Sequence, residues 1–182
     1  MKCTWKQSQN SNSQNFLSFP ASSITLNTMP PIVLETMQSL KGFVGREIAT
    51  TDWFLVTQDR IGQFAEATED RQWIHVDPER AERESPYSAT IAHGFLTLSL
   101  LSYFMKQAIQ IPRDVRLSIN YGLNRVRFPA PVRAGTGIRA RVMLQSLREL
   151  PDCVEAVFNI SLEGKAAAKP CCVAEWIVRH YS

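Results

Sequence analysis

Residues 93–109 leave almost no polar face. Phe95, Leu96, Leu98, Leu100, Leu101, Tyr103, Phe104 and Met105 cover nearly the whole circumference of a helix. A helix that is apolar all round has to be enclosed by protein rather than lie on a surface. After Pro112 the pattern changes, and four extended segments follow at residues 116–128, 137–147, 154–162 and 172–180. The turns between them, at 129–135, 151–152 and 163–164, are too short for the crossovers that parallel strands need. The expectation is an α+β fold in which an antiparallel meander wraps one buried helix.

The rest of the chain agrees with a single domain. Its 182 residues are 45% apolar and 20% charged, ordinary values for a globule with its own core. A net charge of +3 without a dense Lys/Arg cluster argues against nucleic acid as a partner. The apolar run around Phe95 is interrupted by Thr97, Ser99 and Ser102 and is far short of the ~20 residues of a bilayer span, so no membrane partner is expected. Cys3, Cys153, Cys171 and Cys172 show no metal-type spacing. They read as reduced, mostly packed thiols of a cytoplasmic protein, with Cys171 and Cys172 on opposite faces of a strand.

Thirteen of the first 29 residues are Ser, Asn or Gln, and no acidic residue precedes Glu35. There is no apolar core of a secretory signal and no Arg before Arg46. Residues 1–29 are expected to be a disordered extension, translated from a start upstream of Met29, with the domain at 30–182. A short helix is expected around Leu34–Phe43, an extended stretch over 48–56, and a helix from the N-cap Thr57 through Ile61, Phe64, Ala65 and Thr68. Asp77 followed by Pro78 opens another short helix, which Pro86 closes.

Two segments could carry chemistry. Past the Thr57 helix, residues 70–77 read as extended, which places Trp73, His75 and Asp77 on one face and Ile74 and Val76 on the other. Asp70 and His75 could both reach one water, with the imidazole able to exchange a proton near neutrality. The same residues could instead be a turn cap and a backbone-bonded histidine. At the head of the apolar helix stands Ala92-His93-Gly94. Free N–H groups there favour developing negative charge, and Gly94 puts no side chain in a ligand's way. Here too a structural role is open, with Gly94 easing packing and His93 capping the helix.

Taken together, the two segments resemble the MaoC-like dehydratases, the (R)-specific enoyl-CoA hydratases of the hot-dog fold. The family pattern G-D-x-N-P-x-H stands here as Glu69-Asp70-Arg71-Gln72-Trp73-Ile74-His75, followed by the Ala92-His93-Gly94 triplet. The flanks Ile61-x-x-Phe64-Ala65, Val76-Asp77-Pro78-Glu79 and Arg127-Phe128-x-x-Pro131-Val132 match as well. The Asp-Arg-Gln-Trp-Ile-His variant is similar to the nodulation protein N-like branch. The resemblance implies a hot-dog homodimer acting on an acyl-CoA thioester by hydration of trans-2-enoyl-CoA to (R)-3-hydroxyacyl-CoA. Asp70 and His75 would be the catalytic pair, Gly94 the oxyanion donor, and Gln72, Trp73 and His93 substrate contacts. No metal or other cofactor is implied. A hot-dog thioesterase and a non-catalytic acyl-CoA-binding module are the alternatives; retention of both Asp70 and His75 argues against each.

Overall fold

The structure, a computed structural model, describes residues 31–182; the extension expected at 1–29 lies outside the described residues. In chain order it runs β1 (Ile32–Val33), a 3-10 helix (Met37–Phe43), β2 (Arg46–Thr50), β3 (Phe54–Val56), α1 (Gln58–Thr68), α2 (Trp73–Val76) and α3 (Pro78–Glu84). Then follow α4 (Gly94–Ser99), α5 (Leu101–Ala108), β4 (Ile109–Gln110), β5 (Leu117–Arg127), β6 (Thr136–Glu149), β7 (Val154–Gly164) and β8 (Cys172–Tyr181).

A six-stranded antiparallel sheet in the order β2-β6-β7-β8-β5, with β3 also on β6, packs on α4 and α5. Strands β7 and β8 alternate, β8 strictly and β7 except at buried Glu155, and bury Val154, Ala156, Phe158, Ile160 and Leu162, and Cys172, Ala174, Trp176 and Val178. These side chains and Leu96, Leu101, Phe104 and Met105 from the helices form one core. Phe104 and Phe158 are its largest fully buried members. The mixed architecture with a sheet wrapped on a central helix is the expected one.

Four details differ from the sequence reading. The meander holds for β6, β7 and β8, but β5 pairs with β8 and not with β6. The connecting segment 128–135 is too long and too proline-rich for a tight hairpin. Residues 90–92 capture it instead, through Ala92 N–H to Val132 O (2.7 Å), Ala134 N–H to Thr90 O (2.9 Å) and an antiparallel bridge between Ile91 and Arg133. The central helix breaks at Leu100, where the Ser99 hydroxyl turns back onto Leu96 O (2.7 Å). Nor does this one chain enclose it on every side, for Phe95 is 70% and Tyr103 42% exposed. The stretch 48–56 is interrupted between β2 and β3, where Thr51 N–H donates to Ala140 O and Ala140 N–H donates to the Thr51 hydroxyl, 2.9 Å each.

Cys171 and Cys172 are both buried, because Cys171 lies just ahead of β8 and its thiol turns to Leu162 O (3.2 Å). Burial pushes the two thiols up to about 11 and about 12, so neither is a ready thiolate. Among the described residues no helix is long and apolar enough to cross a membrane.

Candidate active site

Helix α1 is started by the Thr57 hydroxyl, which accepts from Arg60 N–H (3.3 Å), and ends where Glu69 turns left-handed at φ 58°. That reversal sends Asp70–Gln72 back across the end of the helix. Arg71 holds the turn by ion pairs to Glu66 (2.7 Å) and Glu69. Residues 73–76 then form a turn of helix rather than the extended stretch expected, with His75 N–H on Gln72 O (2.9 Å) and Asp77 N–H on Trp73 O (3.0 Å). Alternating faces therefore do not describe Trp73, His75 and Asp77. Asp77 is the N-cap of α3, its carboxylate accepting from Arg80 N–H at 2.9 Å.

The turn brings Asp70, His75 and His93 together. A carboxylate oxygen of Asp70 and a ring nitrogen of each histidine all lie within 4.8 Å of one another. The His75 side chain is 7% exposed, and its Nδ1–H donates to Ile91 O at 2.6 Å. A carbonyl can only accept, so the neutral ring carries its proton on Nδ1 and leaves the Nε2 lone pair for a substrate or water. The backbone-bonded reading of His75 is met through Nδ1, and Nε2 stays uncommitted. Burial pushes His75 below the ordinary histidine value, partly opposed by its bond to Ile91; His93 adds to the lowering and the Asp70 charge opposes it.

His93 lies behind His75 at 3% exposure, the two rings stacked at 3.7 Å with a 26° angle between planes. Phe64 packs against the His93 ring at 5.0 Å. Its Nε2–H donates to the main-chain oxygen of Asp70 (2.9 Å), with the Asp70 carboxylate 3.9 Å away. His93 is the N-cap residue of α4 by position but supplies no side-chain cap. The two rings lie nearly face to face, with centroids 3.7 Å apart and planes 26° from parallel, an arrangement that does not readily aim two in-plane nitrogen lone pairs at one metal ion.

Gly94 opens α4 beside this group. A Cβ there would stand 2.9–3.0 Å from three ring atoms of Phe128, so any larger residue has to displace that ring. Gln72 is exposed and caps α2 only through its carbonyl. The Trp73 ring is half-buried under the Arg80 guanidinium, 4.5 Å from its centroid, and so packs toward α3. Two supports had no signal in the sequence. Gln58 Nε2–H donates to His75 O (2.8 Å), and the Thr90 hydroxyl donates to Gln58 Oε1, tying α2 to the 90–92 segment that carries Ile91.

Fold and site together define a hot-dog domain with an aspartate–histidine pair facing the head of its central helix. Residues 39–161 match the MaoC like domain, and the chain belongs to the MaoC-like dehydratase family. It is 46% identical over 147 residues to 3-hydroxyacyl-thioester dehydratase Z of Mycobacterium tuberculosis, covering 80% of this chain and 96% of that protein. With nodulation protein N of Rhizobium meliloti it shares 40% over 143 residues, 78% of this chain and 89% of the relative. Among solved structures, the (R)-hydratase from A. caviae superposes with a TM-score of 0.57 at 23% identity, over 73% of this chain and 95% of that one, a likeness of fold.

Proposed function

We propose that the chain catalyses the reversible syn addition of water to a trans-2-enoyl-CoA, giving the (R)-3-hydroxyacyl-CoA. The observation that carries the reading is the buried His75, with Nδ1–H fixed on Ile91 O, its Nε2 lone pair uncommitted, and a ring nitrogen within 4.8 Å of an Asp70 carboxylate oxygen. Between them the two groups hold one water. Its oxygen bonds to C3, one of its protons passes to the pair, and the pair returns a proton to C2 on the same face. The thioester supplies the acidity at C2, so the chemistry calls for no metal or redox cofactor. The Gly94 N–H at the start of α4 would receive the enolate-like thioester oxygen. Similarity to a 3-hydroxyacyl-thioester dehydratase supports the same substrate class.

A homodimer follows from the same reading. Strand β5 is an 11-residue edge whose Leu117, Ile119, Tyr121 and Leu123 are exposed, as are Phe95 and Phe128. Such an edge needs cover, and a second copy provides it.

Incubation of the purified protein with crotonyl-CoA tests the reaction. Loss of the enoyl absorbance without thiol release is the expected result. Release of free CoA would make it a thioesterase, and neither change would leave a binding module.

A further inference from the structure

We infer that His93 is a positioning residue for this reaction: its ring sets the spacing of Asp70 and His75 while touching neither substrate nor water. The inference rests on the hydratase reading and changes the role expected for His93, that of a substrate contact.

The ring is shut away between Phe64 and His75 at 3% exposure. Its Nε2–H reaches the Asp70 carbonyl at 2.9 Å, and this bond ties the main chain of the exposed Asp70 turn to the core. The price is visible on the other side of the ring, where Nδ1 is buried without a partner. A phenyl ring would fill the same slot with no polar atom left unpaired. What only the imidazole adds is the donor to Asp70. His93 also directly precedes Gly94. One residue therefore links the carboxylate turn, the base and the first N–H of α4. A misplacement of about 1 Å among such groups costs on the order of a hundredfold in rate.

The test compares His93→Phe, which keeps the stack and loses the donor, with His93→Gln, which keeps an N–H donor. Turnover of crotonyl-CoA and the melting temperature are measured for each, alone and with Asp70→Asn. His93→Phe should lower kcat by about thirtyfold or more, leave KM within about threefold, and leave the fold intact; His93→Gln should recover part of the rate. Added to Asp70→Asn, His93→Phe should cost less than about threefold more, because both act through one carboxylate.

Wild-type turnover in His93→Phe would overturn the inference. So would a raised KM at unchanged kcat, or a rate loss that multiplies fully with Asp70→Asn. An inactive wild-type protein would sink the hydratase reading instead. Imidazole nitrogen spectra of the labelled protein then test His93 independently. A proton on Nε2 is expected, and a proton on Nδ1 would refute the arrangement.

Discussion

Gly94→Ala probes the head of the central helix with one methyl group. The new Cβ would meet Phe128 Cδ2 at 2.9 Å and Cε2 and Cγ at 3.0 Å, where carbon atoms settle at about 3.5–4.0 Å. The ring must retreat by roughly half an ångström to one ångström. Phe128 is 40% exposed, and its aromatic neighbour Phe95 stands edge-on at 6.1 Å, so the ring has room to yield. That places the strain at the low end of the ~1–3 kcal/mol typical of overpacking. Alanine's better helix propensity returns a few tenths at the first helical position, leaving a net cost of about 1 kcal/mol. For a domain of this size the melting temperature should fall by roughly 2–4 °C. Under the proposed oxyanion role turnover should fall much further, by about a hundredfold, because the added methyl crowds the approach to the Gly94 N–H.

A double-mutant cycle separates the two effects. In a Phe128→Ala background the methyl should cost almost no further stability, yet the rate should stay low. Calorimetry and crotonyl-CoA kinetics on the four proteins read both. Equal destabilisation in both backgrounds would show that the Phe128 contact is not the cause. Wild-type turnover in Gly94→Ala would remove Gly94 from the oxyanion role.

Other substitutions test other parts of the structure. Asp77→Ala removes the cap on Arg80 N–H and should cost about 1 kcal/mol of stability while sparing kcat, measured by denaturant melts beside kinetics. Buried His180, with the Ser118 hydroxyl on Nδ1 and nothing on Nε2, is pushed down to about 4. The unfolded chain therefore takes up a proton near pH 6.5 that the folded one refuses, so stability is full above that pH and declines as pH falls toward 4. The loss should reach about 2–3 kcal/mol near pH 4.5 in urea titrations, and His180→Leu should flatten that slope. Trp73→Ala should shift acyl-chain preference if the indole also narrows the entrance; a loss of stability alone would assign it to packing under Arg80.

Much of this arrangement was legible in local chemistry. Thr57 and the Asp77-Pro78 pair marked helix starts because caps are read by immediate neighbours. The extended segments after Pro112 marked the strands β5 to β8. What local pattern could not supply was pairing at a distance. The order of strands depends on residues 90–92 seizing the segment after β5, and no periodicity in β5 announces that. The helical turn at 73–76 is likewise set by tertiary contacts, through Gln58, Thr90 and Ile91. Asp70 and His75 were legible as a pair, while the buried stacking of His93 depends on Phe64 and on the reversal at Glu69.

The central claim is that Asp70 and His75 act on one water. Its most direct test is kcat for crotonyl-CoA hydration in Asp70→Asn, His75→Gln and the double variant, with melting temperatures taken in parallel. Each single substitution should lower kcat by about a hundredfold or more with the fold retained, and the double variant should be little worse than either. A folded Asp70→Asn protein that turns over at the wild-type rate, or single losses that multiply in the double variant, would contradict it.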